Sequence, residues 1–206
     1  MIFNHIKELK EQGKASQITL IHVGTADADA TLRKGIALGA DDAVRIDINA
    51  ADTFEVAFQI AQFAKTQSYE LILTGKETID YNSACIGSIV AALLDLPFVS
   101  SADAMDLNGT TATIKREIEG GEETCEVNTP FIASCQKGMA EQRIPNMRGI
   151  MAARTKPLQV VAPSASTART TIQSFALPQA KSGVKLVDAG NMDELVRLLK
   201  EEAKVI

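Results

Sequence analysis

Tryptophan is absent from this chain, and histidine and tyrosine occur only twice each in its 206 residues. His5 and His22 have no second ligand type at metal spacing, so a histidine metal site is not expected. No Ser–His–Asp or Cys–His pairing, paired-carboxylate site or HExxH helix is visible either, so no side-chain machinery for bond breaking is expected. Cys85, Cys125 and Cys135 make an odd count without a CxxC pair, which argues against a disulfide framework or a zinc site. Each is expected to act as a small buried hydrophobe. No apolar run approaches the ~20 residues that cross a bilayer, and the first eight residues lack the basic-then-apolar layout of a secretory signal. Direct membrane insertion is therefore not expected, and a cytoplasmic location is. Basic charge is scarce too. A net charge of -5 and a pI near 5.1 argue against a nucleic-acid partner.

What is present suits a soluble core: 46% of the residues are hydrophobic and 23% charged. Ile2, Ile6 and Leu9 recur at helical spacing until Gly13. Residues 17–23 (QITLIHV) read as a buried strand, 27–38 as a helix, and 43–48 as a strand. Asp52 or Thr53 can cap a following helix whose face is Phe54, Val56, Phe58, Ile60 and Phe63. A strand at 69–74 and a helix from about 83 to 94 complete the alternation, which implies parallel strands with right-handed crossovers. The expected fold class is therefore α/β, a doubly wound, mostly parallel, Rossmann-like sheet. After Pro97 short strands follow without helices, at 98–100, 104–107, 111–118 and 124–127. Asn108-Gly109 is a strong hairpin turn and Gly120-Gly121 a second reversal. A final buried strand covers 131–135. From 162 to 182 the composition shifts to Ser, Thr, Ala and Pro, as an extended arm would. A short helix, 191–202, then presents Met192, Leu195, Leu198 and Leu199, with Asn191 as N-cap and Glu194 at the capping-box position. Residues 1–161 thus read as one α/β domain with a β-hairpin extension, and 162–206 as a C-terminal arm.

Two segments carry the functional reading. The first is the strand-to-helix junction from Leu71 through Gly75, Lys76, Glu77, Thr78, Ile79, Asp80, Asn82, Ser83, Ala84 and Cys85. In open parallel sheets ligands sit at such carboxyl ends, and N–H groups opening the next helix can hold a phosphate. It is neither a Walker loop nor a GxGxxG turn, and on the residues alone an ordinary connecting loop is the favoured reading. The second is residues 143–157, basic within an acidic protein. There Arg143, Arg154 and Lys156 flank Ile144, Met147, Ile150 and Met151, a mix suited to transient docking. A solvated loop is the plain alternative.

Four stretches together resemble the beta (small) subunit of electron transfer flavoproteins: TLRKGIALGAD at 31–41, LILTGKETID at 71–80, KREIEGGEET at 115–124 and IMAARTKPL at 150–158. The resemblance implies a heterodimer with a larger alpha subunit that carries most of the FAD contacts. It implies an adenine-nucleotide-binding fold holding AMP, or a second FAD in its place. The complex would relay electrons from flavin dehydrogenases to a quinone reductase or another acceptor, as a carrier rather than an enzyme. The nucleotide loop maps onto Gly75 through Ile86, together with Val23 and Gly24. The docking loop maps onto 143–156, with Met147 at the anchor, and the arm is expected to reach the alpha subunit. Two departures stand out. Ala84-Cys85-Ile86 replace polar residues before Gly87, so nucleotide contacts would be mainly backbone. The family's first strand, normally central in the sheet, is missing, which would leave the strands at 17–23 and 69–74 with two unpaired edges and points to a start further upstream. The competing readings are a stand-alone adenine-nucleotide-binding regulator resembling universal stress proteins and a nucleotide-dependent hydrolase. The first leaves the basic segment and the tethered helix without a task, and the second lacks catalytic residues.

Overall fold

The computed structural model describes residues 2–79, 81–180 and 183–206, with the side chains of Ile2 and Phe3 left aside. Met1, Asp80, Lys181 and Ser182 lie outside the described residues, and with them one position of the expected nucleotide loop and the last two of the extended stretch expected at 162–182. The described chain divides into two compact units, with the boundary after Thr171.

In the first unit, helices and strands alternate as the apolar periodicity implies. Helix α1 (Ile2–Glu11) leads to β1 (Thr19–Val23), α2 (Asp29–Leu38), β2 (Asp42–Ile46), α3 (Thr53–Ala64), β3 (Leu71–Gly75) and α4 (Ile86–Leu94). One short 3-10 turn, Ala26–Ala28, precedes α2. Then come β4 (Phe98–Asn108), β5 (Thr111–Ile118), β6 (Gly121–Asn128), β7 (Phe131–Cys135), α5 (Met147–Ala153) and β8 (Leu158–Val161). The strands form two sheets, ordered β1-β2-β8 and β3-β7-β4-β5-β6. All pairings are parallel except β4–β5 and β5–β6, which form the antiparallel extension. The architecture is α/β, with mostly parallel strands.

Strands β1 and β3 each pair on one side only, which gives the two open edges expected at those strands. Helices bridge the two sheets instead. On α1, Leu9 joins the core of the larger sheet with Val99, Ile114 and Phe131, while Ile6 packs on the core of the smaller one with Ile18, Leu32 and Ile36. Helix α3 contacts β1 and also packs through Ala57 and Ala61 against Val90 and Ile132.

Several local expectations are corrected. The strands expected at 98–100 and 104–107 are one strand, β4, whose register shifts between Val99 and Ala102, where Ser101 takes φ 56°, and again between Ala102 and Ala104. A bulge lets one strand change partner and twist, so β4 pairs first with β7 and then with β5. Of the face expected on α3, only Ile60 packs against the core; Phe54, Val56, Phe58 and Phe63 do not form it. The helix's buried positions are Glu55, Ala57, Gln59, Ala61 and Ala64. Small alanines let α4 approach, whereas Phe54 and Phe58 stack on each other with the Arg169 guanidinium 4.7 Å above the Phe54 ring. The two buried polar residues are satisfied by the strap formed by residues 164–170. The Gln59 amide donates to Ser164 O and accepts from Ser164 N–H, both at 2.8 Å, and the Ser166 hydroxyl donates to Glu55. Asp52 is the cap: one carboxylate oxygen accepts from Glu55 N–H, the other from the N–H groups of Arg169 and Thr170. Of the cysteines only Cys135 is buried; Cys85 and Cys125 are half-buried.

The second unit is an irregular stretch with exposed Phe175, Leu177, Val184 and Leu186, followed by α6 (Met192–Arg197) and a widened π turn over Leu198–Glu202. Asn191 caps α6 through Glu194 N–H, and Arg197 pairs with Glu194, Glu201 and Glu202.

Candidate functional site

The carboxyl end of β3 opens into a cleft of about 80 Å³ lined by Thr74, Gly75, Lys76, Glu77, Thr78, Ser83, Ala84, Cys85 and Ile86. A water's share of liquid volume is about 30 Å³, and clefts for whole ligands span roughly 300–1,000 Å³. The cleft therefore suits a phosphate-sized group, with any remainder of a nucleotide outside it. Of the expected loop positions, Asn82 is not among its lining residues. Asn82 and Ala84 take left-handed φ values of 53° and 49°, and Cys85 returns to φ -115°, ψ -5° just before α4. A left-handed residue followed by a right-handed one turns successive N–H groups toward a common side, the concavity that binds anions. The first turn of α4 adds N–H groups without helical acceptors. One donor absent from the sequence reading is the Thr74 hydroxyl, buried without a partner among the described residues. Gly87 is what lets it sit there, since a Cβ would come within 2.6 Å of the Thr74 oxygen and 2.9 Å of the Phe98 ring. The signal for Thr74 was its place at the strand's end, next to Gly75.

The other expected contacts are elsewhere. Val23 ends β1 in the smaller sheet, Gly24 follows it, and neither lines this cleft. Both polar backbone groups of Gly24 are engaged, its N–H with Ile46 O at 3.0 Å and its carbonyl with Arg45 at 3.1 Å. Arg45 is buried there between Asp29 and Asp47. Burial and the Arg45 charge hold the neighbouring His22 imidazole below its ordinary pKa. Ile79 projects fully into solvent and is not a lining residue.

Residues 143–154 contain a helix that sequence reading took for loop. Asn146 caps α5 by accepting from Gly149 N–H at 2.8 Å. Gly149 lies flush on the Ala37 carbonyl, where no side chain would fit. Ile144, Met147, Ile150 and Met151 are 87%, 73%, 40% and 55% exposed. Neither Arg148 nor Arg154 makes an ion pair among the described residues, whereas Arg143 is committed to Glu8 and Glu11 of α1. That bond holds the Glu11 carboxyl below its ordinary range. The expected docking residues thus form one apolar surface with a basic rim, minus Arg143.

Comparison with known proteins identifies the family. The profile of the family described as electron transfer flavoprotein domain matches residues 7–166. An electron transfer flavoprotein subunit beta of Syntrophomonas wolfei is 34% identical over 202 residues, spanning 96% of this chain and 80% of that one. One from Bacillus subtilis is 33% identical over 213 residues, spanning 97% and 82%, and the Homo sapiens protein of the same description is 28% identical over 207 residues, spanning 96% and 80%. The chain therefore belongs to the electron transfer flavoprotein family, among its beta subunits.

Proposed function

We propose that this chain is the nucleotide-holding, partner-docking half of an electron-carrying heterodimer, with the alpha subunit supplying most of the contacts to a shared FAD. The observation that carries this reading is the match to electron transfer flavoprotein beta subunits along 96–97% of the chain. The flavin, when bound, supplies the chemistry by accepting and releasing electrons. This chain's residues bind and orient.

The cleft at β3 fits the phosphate of AMP, or of a second FAD, on the donors it offers. Those are the N–H groups of Ala84, Cys85 and Ile86, the start of α4, and the unclaimed Thr74 hydroxyl. A phosphate held by backbone N–H groups needs no side-chain donor, which accommodates Ala84, Cys85 and Ile86 where the family has polar residues. Lys76 at the rim adds positive charge. The exposed face of α5, Ile144 and Met147 above all, meets a flavin dehydrogenase, with Arg148 and Arg154 steering the encounter. The arm from residue 162 onward, with its exposed Phe175 and Leu177 and the helix α6, reaches the alpha subunit. Electrons leave to a quinone reductase or another acceptor.

Co-expression with the alpha subunit tests the whole: a yellow heterodimer is expected, and denaturing it should release one FAD plus one AMP, or two FAD. Recovery of this chain colourless, monomeric and free of adenylate from such cells would overturn the reading. Thr74→Val should then lower adenylate content while leaving shared FAD unchanged, since only the cleft loses a donor.

A further inference from the structure

We propose that Arg33, with Glu8 and Glu11, positions α5 so that its apolar face is presented preformed to a partner carrying an apolar pocket with an acidic rim. The proposal rests on the docking role given to α5 above. It assigns a task to residues well outside that surface.

Helix α5 has seven residues, and Ala153 is the only one it buries. Isolated helices shorter than ~12–15 residues are marginal in water, and one buried alanine offers little hydrophobic hold. Besides its own Asn146 cap and the close approach of Gly149 to Ala37, α5 is held by polar fasteners to α1 and α2. Arg33 Nη1 donates to Ala153 O at 2.7 Å and to Lys156 O at 2.6 Å, closing the helix's carboxyl end. A cation there also faces the negative end of the helix dipole. Lys156 Nζ donates to Ala40 O at 2.6 Å, behind the same turn. On the entry side Arg143 reaches Glu11 at 3.0 Å and Glu8 at 3.3 Å, and Asn4 donates to Glu141 O at 2.6 Å. Ile144 follows Arg143 directly, so the Arg143 pairs fix where the most exposed apolar side chain of the segment emerges. None of these fasteners lies on the exposed face. A surface ordered beforehand loses less freedom on binding. Loosening it should weaken association without altering what the bound pair does.

The experiment uses the heterodimer and the flavin dehydrogenase, chosen from a purified panel, that reduces it fastest. Four forms are compared: Arg33→Met, Arg33→Lys, the surface pair Glu8→Gln/Glu11→Gln, and Ile144→Ala/Met147→Ala as the direct test of the docking face. Arg33→Met should raise KM for the heterodimer roughly tenfold, with kcat and flavin content unchanged, and speed hydrogen exchange of the α5 amides. Arg33→Lys, able to reach one carbonyl, should recover part of both effects. The Glu8/Glu11 pair, remote from the helix's carboxyl end, should raise KM even if Arg33→Met does not fold. Faster α5 exchange with unchanged KM in the Arg33 or Glu variants overturns the positioning role while the docking face stands. Unchanged KM in Ile144→Ala/Met147→Ala removes the docking face itself, and the positioning role with it. A fall in kcat or in flavin content matching the KM change would also overturn it, marking general damage instead.

Discussion

Ala84 holds φ at 49° without the glycine or asparagine that usually occupies such a position. A methyl group in the left-handed region costs roughly 1–2 kcal/mol. Ala84→Gly should therefore stabilise the chain by up to about 1 kcal/mol, less what glycine's freedom in the unfolded chain takes back. The check is a higher urea midpoint at an unchanged slope. Adenylate content should hold, because the N–H groups that form the concavity remain. The sequence announced left-handed backbone at Gly109 and Gly120, and Asn82 was compatible with it. At Ala84 it gave no such sign, because alanine carries a Cβ that disfavours the left-handed region. Cys135 illustrates the opposite case, where composition alone predicted burial. Its thiol is pushed up to about 12 by burial. Maleimide at pH 8 should thus leave Cys135 unlabelled in the native protein while Cys85 and Cys125 react, as counted by intact mass.

At the level of elements, α3 and its strap were half legible. A cap at Asp52 was readable from residue type, and so was the helix. The buried alanine stripe was not, because periodicity favours large apolar residues and Gln59 looks like a solvent residue until Ser164 and Ser166 lie across it. Helix α5 was missed because seven residues are too few to show a period, and β8 because four are. Asp52 links helix and strap, which makes the two separable. Asn at this position keeps one oxygen for Glu55 N–H but puts an NH2 where the carboxylate accepts from Arg169 and Thr170. Asp52→Asn should free residues 164–170 to rapid hydrogen exchange while α3 stays protected. Burial opposes ionisation of Asp52, yet the N–H bonds from Glu55, Thr170 and Arg169 outweigh it and hold the carboxyl below its ordinary value. A depressed native pKa means this stabilisation is complete above the unfolded-state value of about 3.9 and is lost as pH falls through the native one. Acid titration of stability should show that loss in the unmodified chain and a flatter profile in Asp52→Asn. Parallel profiles would exclude Asp52 as the group responsible.

For the molecule as a whole, the alternation of strands and helices was read correctly from apolar periodicity, and the hairpin from its Asn-Gly turn. The division into two sheets was foreseeable only through the family resemblance, because nothing in the strands at 17–23 and 69–74 marks an unpaired edge. Both are apolar, yet β1 and β3 are less buried than β2 and β7. Amide N–H groups on the open sides of β1 and β3 should exchange well before those of β7, which is bonded on both sides. Equal protection across these strands would contradict the open edges.

The bridging helices have a mechanical consequence. No ladder of backbone bonds joins β1 to β3 among the described residues, so cooperativity between the sheets travels through the side chains of α1 and α3. Trimming Leu9 to alanine cuts one such strut, and calorimetry should resolve two melting events in that variant and a single one in the parent. The seam would then give way as a fault line does, each slab keeping its own strands while sliding past the other.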